Sequence, residues 1–416
     1  MQHKNYVLFT VFLVFFSGNI VDGASLANDD YGNYKNDKAV TELHEGQLKV
    51  ANAAWWGFDD KDSTNALQSA INSGAEKVIV PFMGYDWAVR PIYLASDQEI
   101  YFEPGVVIIA KKGQFKNNHD SVFRANNKKN ITLSGYGAAI RMHKEDYRDS
   151  NNYEKGEWRM GIYLVSCSNI KVLGLTIADT GGDGIYLGEN RNPAYNEDIL
   201  IKDCVFDNNY RQGISIIGAK NLLVENCVFK NTSGTAPGDG IDFEPNNFVN
   251  KLTNCAIRNC TFENNEGCGV QICVTHLLHE KTEPISILVE NCHIKSSKKM
   301  GFLIGTITDR TVGGTILYKN CTVENTGNAG LMMYDKPNGL LEISFINCKW
   351  KKPFLDNEEP LDLHVPMTSI VLKNQNPTGK GFTAFTNCYL IGTKNEQFFV
   401  PIELEKSHGI HTVNVN

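Results

Sequence analysis

The sequence predicts an all-β chain wound into a right-handed parallel β-helix with an N-terminal capping helix. Three observations carry this. First, one apolar unit recurs as "NIKVLGLTIAD", "DILIKDCVFDNN", "NLLVENCVFKN", "CAIRNCTFENN" and "ILVENCHIKS". Second, a glycine-centred unit follows each in turn, with its glycine at 161, 184, 213, 240, 269, 301 and 330. The intervals are 23, 29, 27, 29, 32 and 29 residues, a period that suits stacked coils. A propeller would need four antiparallel strands per blade and a period nearer forty. Third, each interval holds two or three short β-branched strands separated by Asn, Gly and Asp, with hardly any helical periodicity. One such coil cannot bury its apolar face alone; a stack of them makes a continuous core.

Residues 1–23 read as a secretory signal. His3 and Lys4 precede an apolar run from Val7 to Phe16 that is too short to span a bilayer, and small residues lead to a cleavage position near Ala24. No Cys follows the run, which sets a lipoprotein anchor aside. No later segment approaches the length of a membrane span, so the expected location is secreted or periplasmic. Residues 24–57 form a lead segment, and residues 58–416 the β-helix domain.

An open first coil would expose core and strand edges. "DSTNALQSAINSG", residues 62–74, supplies the cap: Asp62 or Ser63 can start a helix whose apolar face is Ala66, Leu67, Ala70 and Ile71, and Gly74 ends it. Asn at the bends fits the left-handed backbone that such turns need. The 416 residues carry a net charge of −7 and no long basic run, which speaks against a nucleic-acid partner.

Seven cysteines, at 204, 227, 260, 292, 321, 348 and 388, occupy one repeat position, mostly after Asn. That placement predicts a buried, reduced ladder in which Cys acts as a small hydrophobe. No CxxC or Cys/His cluster suggests a metal site.

Alternation assigns a side to each residue near the glycines. The residue after each glycine is apolar (Ile162, Ile185, Ile214, Ile241, Val270, Phe302, Leu331) and must point inward. The next faces out: Tyr163, Tyr186, Ser215, Asp242, Gln271, Leu303, Met332. Two further on come Val165, Gly188, Ile217, Glu244, Cys273, Gly305 and Tyr334, and before the glycine Met160, Asp183, Gln212, Asp239, Cys268, Met300 and Ala329. Acidic, polar and aromatic residues thus gather on a few adjacent coils of one face.

Asp183, Asp239, Asp242 and Glu244 are the candidate catalytic groups. Two coils separate Asp183 from Asp239, about 9.6 Å, and two residues separate Asp242 from Glu244, about 6.6 Å. Inverting glycosidases hold their acid and base about 6.5–9.5 Å apart. Clustered carboxylates raise one another's pKa, which suits a general acid. The "GDG" stretches at 182–184 and 238–240 also fit simple bends. Arg211 and Arg159 can pair with a sugar carboxylate or sulfate, or else with Asp183 or Asp239. Gln212 and Gln271 offer amides, and Tyr163 and Tyr186 offer ring faces or hydroxyls. His276 and His279 fall on a loop. Residues 143–161, with Arg148, Glu157 and Trp158, form a charged insertion able to wall a cleft.

The cap helix pattern Asp-x-Thr-x-Ala-Leu-Gln-x-Ala-Ile (62–71) is followed by "VIVP", "PIYLAS" and "EPGV". Together they resemble the entrance of pectin-active enzymes of the pectate lyase-like superfamily, which includes polygalacturonases. The resemblance runs over about residues 58–350. It implies a parallel β-helix acting on a polysaccharide, with the reaction open among hydrolysis, elimination and epimerisation. "GDGIYLG" resembles the Gly-Asp-Asp-x-Ile stretch of polygalacturonases and implies a catalytic carboxylate at Asp183, although Gly184 replaces the second Asp and Gln212 the His of the next coil. "DGIDFE" resembles the Tyr-Gly-x-Asp-x-His stretch of mannuronan epimerases through Gly240 and Asp242, with Asp239 in place of the Tyr and Glu244 in place of the His.

The expected function is therefore a secreted glycoside hydrolase, with the order of acid and base left open. A lyase or uronate epimerase, its carboxylates holding Ca²⁺ through oxygen ligands, and a non-catalytic glycan-binding or adhesion β-helix are the alternatives. The expected partner is a polysaccharide or oligosaccharide, anionic or not. No cofactor is expected outside the Ca²⁺ of the lyase case.

Overall fold

The computed structural model describes residues 34–278, 280–305, 312–333, 340–351, 370–372, 383–391, 396–397, 402–404 and 410–412. The signal segment 1–23, Tyr334 and His279 lie outside the described residues.

The chain winds through three parallel sheets, which contain 13, 11 and 12 strands among the described residues. Each coil contributes a strand to each sheet. The coil after Gly184, for instance, places Ile185–Gly188 in one sheet, Asn196–Lys202 in the second and Val205–Asp207 in the third. Among the described residues strand pairing is parallel, apart from Tyr389–Ile391 with Glu396–Gln397 and an isolated antiparallel bridge between Arg159 and Gly181.

The inward column is in register from coil to coil: Ile162, Ile185, Ile214, Ile241, Val270, Phe302 and Leu331. All seven are fully buried. The marker glycines exist for space. A Cβ on Gly184, Gly213 or Gly240 would lie 2.6, 2.5 or 2.4 Å from the ring of Phe206, Phe229 or Phe262, and 2.5–2.7 Å from the next coil's glycine carbonyl. Those three rings stack at centroid distances of 4.6 and 4.9 Å, which is the spacing of neighbouring strands.

The residue preceding each ladder cysteine adopts the left-handed backbone: Asp203, Asn226, Asn259, Asn291, Asn320, Asn347 and Asn387. Several of these Asn side chains bond one coil to the next, as in Asn320 to Asn291 (3.0 Å) and Asn347 to Asn320 (3.1 Å). No cysteine is in a disulfide; Cys273 is half-buried and the others buried. Ladder thiols donate to backbone carbonyls, Cys321 to those of Val289 and Lys319 at 3.4 Å each.

The cap helix spans Thr64–Asn72 and buries Ala66, Leu67, Ala70 and Ile71. Ser63 makes no side-chain cap bond; the Thr64 N–H donates to Asp62 Oδ1 at 3.2 Å. The stack begins earlier than the expected boundary at 58, because Val50–Asn52 pairs with Lys77–Val80. A further helix, Asp37–His44, precedes it.

Candidate active site

The face carrying the glycine-centred strands holds Ser215, Asp242 and Gln271 side by side on three successive coils. Because Ile214, Ile241 and Val270 fill the interior, strand alternation turns these polar residues outward. Arg211 organises what lies around them. Its guanidinium makes a two-pronged ion pair with Glu244, Nη1 to Oε1 at 2.8 Å and Nη2 to Oε2 at 2.9 Å. The same Nη1 lies 3.6 Å from Asp183 Oδ1, and Nε lies 3.4 Å from Glu157 Oε1. Ser215 donates to Glu244. Gln212 and Gln271 each donate to Asp242 Oδ2 at 3.0 Å. Three predicted carboxylates (Asp183, Asp242 and Glu244), one predicted arginine and two predicted amides therefore form one contiguous cluster with Ser215.

Exposure divides the acids into two sets. Asp183, Asp239 and Asp242 have no solvent exposure, whereas the Glu244 side chain is 24% exposed and Glu157 31%. Both Asp183 oxygens lack a hydrogen-bond partner, as do Asp239 Oδ2 and Asp242 Oδ1. Burial is the main force on all three aspartates, because it disfavours the charged form. It lifts Asp183 to about 8 against the pull of Arg211, with Glu244 adding to the rise. Asp239 rises to about 7, opposed by the Cys268 N–H bonded to its Oδ1. Asp242 is raised well above the ordinary range, by burial and then by Glu244 and Asp239. Burial works against the charge of Arg211, yet Asp183 and Glu244 outweigh it and hold the guanidinium firmly protonated.

Glu244 and Arg211 open onto a cavity of about 180 Å³. Tyr163 and Tyr186 line one part of it, their rings stacked at 5.3 Å. Trp158 and His119 line another, stacked at 5.0 Å and nearly parallel. Ile217, Met160 and Asn246 complete it. A larger depression, about 470 Å³, lies among Lys112, Lys116, Glu145, Asp146 and Asp149 and contains none of the predicted site residues. Of the predicted site residues, Tyr163, Tyr186, Arg211 and Glu244 line the smaller space.

One predicted site residue is misplaced by sequence reasoning. Arg159 does not face the cleft: it has no solvent exposure, and its guanidinium donates to the carbonyls of Phe115 (2.8 Å), Lys116 (3.1 Å) and Glu154 (2.6 Å). It also packs over the rings of Tyr147 and Tyr153. Its task is to fasten the insertion to the 115–116 loop. Buried Lys144 fastens the other end, reaching Asn208 Oδ1 (2.8 Å) and Ser233 Oγ (3.1 Å). The insertion is nonetheless a wall, since Trp158 lines the cavity and Glu157 bonds Thr235 (3.0 Å) and flanks Arg211. His276 contacts the Pro245 carbonyl at 3.2 Å. The Ca²⁺ of the lyase alternative does not fit: Glu244 is bound to Arg211, and among the described residues no three His, Cys, Asp or Glu side chains are arranged to hold a metal ion.

Sequence reasoning missed His119, which lines the cavity, and Arg124, whose guanidinium packs over the Tyr163 ring. Arg124 lies in register with Tyr163, one coil before the first marker glycine, where "VFRAN" lacks the glycine that flags the later coils. Extending the inward column back to Phe123 would have found it.

A family model described as a right handed beta helix region matches residues 99–255. The uncharacterized protein YclG of Bacillus subtilis is 33% identical over 132 residues, 30% of this chain and 23% of that protein. The chain thus aligns with under a third of the curated relatives' length. Among solved structures, a family 28 exopolygalacturonase of Yersinia enterocolitica superposes with a TM-score of 0.61 at 14% identity, covering 88% of this chain and 77% of that one. The A-module of the mannuronan C-5 epimerase AlgE4 of Azotobacter vinelandii gives 0.55 at 13%, covering 88% and 100%. PfbA, a surface adhesin of Streptococcus pneumoniae, gives 0.54 at 13%, covering 83% and 91%. At these identities the likeness is one of fold. Among the described residues no helix is long and apolar enough to cross a membrane.

Proposed function

We propose that this chain, a right-handed parallel β-helix of the pectate lyase-like superfamily, is an exported glycoside hydrolase that cleaves a polysaccharide at the Glu244–Arg211 cavity. The observation that carries the reading is the sharing of one guanidinium by two carboxyl groups of unlike environment. Arg211 Nη1 touches Glu244, which reaches the cavity, and Asp183, which burial keeps protonated near neutral pH. Pairs of carboxyl groups whose surroundings push their protonation apart are what acid–base glycoside cleavage requires. In this reading Glu244 acts as the base toward water. Asp183 supplies the proton to the leaving oxygen once substrate draws Arg211 aside. Asp242 and Asp239 hold the cluster's remaining protons and fix Gln212, Gln271 and the Cys268 backbone around it. The stacked tyrosines and Trp158 supply ring faces suited to sugars. The apolar stretch at residues 7–16 supports export.

The test is incubation with pectic, alginate and sulfated algal glycans, reading reducing ends and the ultraviolet absorbance of unsaturated products together. Hydrolysis gives new reducing ends without that absorbance. An absorbing product would instead establish a lyase.

A second reading, a glycan-binding β-helix without cleavage, is favoured by one observation: three of the four acids have no solvent exposure and both Glu244 oxygens are engaged. It expects binding without any bond cleavage, and binding that survives Glu244→Gln.

A further inference from the structure

We infer that the outward face of the 13-stranded sheet is the contact surface of a homodimer, in which two copies of this chain pack antiparallel through an aliphatic stripe flanked by a self-complementary row of charges. The inference does not rest on the hydrolase reading, because no residue that lines the cavity lies on this sheet.

Alternation sends one residue per coil outward from the middle of this sheet. In register the row begins with Lys77, Glu99, Thr132 and Lys171. It continues as Leu200, Leu223, Ala256, Leu288 and Leu317, and then returns to Ser344. Both ends are polar, as a solvated sheet face should be, whereas the five coils between them carry half-buried aliphatic side chains. Their strands are therefore apolar on both faces, as in "ILI", "LLV", "CAI", "ILV" and "ILY". That pattern belongs to strands covered on both sides. Strand spacing makes the stripe about 19 Å long.

Charge selects the occupant. Two residues further along each strand, the next outward row alternates in sign: Lys202, Glu225, Arg258, Glu290, Lys319. Within one chain the alternation joins neighbouring coils, Lys202 to Glu225 at 2.9 Å, Arg258 to Glu290 at 3.3 Å and Lys319 to Glu290 at 2.9 Å. Reversed, the same row is complementary to itself. A two-fold contact between identical sheet faces has its axis in the plane of the interface. With the axis along the strands, between the coils of Ala256 and Leu288, Arg258 meets Glu290 of the second copy and Glu225 meets its Lys319. The aliphatic stripe favours the same placing. Leu288 of one copy then enters the space beside Ala256 of the other, and Leu223 meets Leu317. An axis through the Ala256 coil itself would set Arg258 on Arg258 and Lys202 on Lys319. An axis along the stack would set Ala256 on Ala256 and leave a gap in mid-stripe.

The area suffices for a dimer of moderate strength. The strands from the Leu200 coil to the Ser344 coil have six or seven residues each. Six such coils face their mates over about 29 Å by 20 Å. Two copies thus bury about 1,150 Å², just above the roughly 1,000 Å² that a specific interface needs, so a Kd of about 1 µM is expected.

The experiment is sedimentation velocity of the full chain from about 0.1 to 100 µM, a range that brackets this Kd. Wild type should pass from monomer to dimer across it. Leu223→Lys puts a charge into the stripe without touching the core and should weaken the dimer about a hundredfold or more; circular dichroism checks that the fold is kept. Arg258→Glu and Glu290→Arg each set like charges across the interface, so each alone should weaken the dimer about tenfold or more. Mixed in equal amounts, the two variants should recover most of the wild-type affinity, because each offers the other opposite charges at both positions. The ion pair within each chain stays broken in the mixture, so recovery reports the contact between copies. The inference is overturned if wild type is monomeric throughout, if Leu223→Lys dimerises as wild type does, or if the two charge variants fail to recover on mixing.

Discussion

Replacing Asp183 by Asn separates the buried proton from everything else at the site, because Asn has the shape of a protonated Asp and cannot ionise. In the unfolded chain Asp183 ionises near 3.8; in the folded chain burial holds its proton to about 8. Between those values the folded state binds one more proton than the unfolded state, so stability falls as pH rises from about 4 to about 8 and levels off above. Four pH units at about 1.4 kcal/mol each set a ceiling of about 6 kcal/mol. Water entry and relaxation of Arg211 soften a buried site's effective dielectric, which brings the expected effect to about 3 kcal/mol. With 416 residues, the unfolding entropy is about 0.9 kcal/mol/K, so that energy corresponds to about 3 °C. The assay is Tm against pH for wild type and Asp183→Asn. The curves should coincide near pH 4, and the variant should lie about 3 °C higher at pH 8 and above. Parallel curves across the whole range would mean that Asp183 is ionised in the folded protein, and the protonation argument would fail.

Other outcomes follow from the same geometry. Arg211→Ala removes the counter-charge of Glu244 and should destabilise by about 3–5 kcal/mol in denaturant titrations; a change below 1 kcal/mol would mean the ion pair is not desolvated. Gly213→Ala places a methyl 2.5 Å from both the Gly240 carbonyl and the Phe229 ring, and should lower stability by about 3 kcal/mol or prevent folding. Phe229→Ala opens a void in the middle of a three-ring stack and should cost about 3–5 kcal/mol by the same titration. A thiol reagent should modify half-buried Cys273 first and the ladder cysteines only after unfolding; rapid native labelling of several thiols would contradict the sealed core.

The sequence made the coil rhythm and its inward column readable because stacking repeats the same steric demand every turn. Ile185, Ile214 and Ile241 are alike for the same reason that Gly184, Gly213 and Gly240 are: each coil meets the same neighbours. Register then brought Asp183, Gln212, Ser215, Asp242 and Gln271 onto one face, which alternation could foresee. Depth could not be foreseen. Outward of a sheet is not the same as exposed, and alternation does not reveal that Asp183, Asp239 and Asp242 are sealed while Glu244 is not. Arg159 shows a related limit, since a residue beside a glycine column can turn toward a loop 44 residues earlier. Contacts of that kind depend on how an insertion folds back, and no repeat encodes them. The strand inside the lead segment was unreadable for the opposite reason: Val50–Asn52 is too short to show a period, yet it pairs with the first full coil.

The most direct test of the account is cleavage by three forms of the chain, wild type, Glu244→Gln and Asp183→Asn, on whichever glycan the wild type cuts, with binding measured alongside. Both variants should lose hydrolysis by about a hundredfold or more while still binding the glycan. Hydrolysis at wild-type rates by either variant would contradict the assignment of acid and base to the two carboxyl groups that share Arg211.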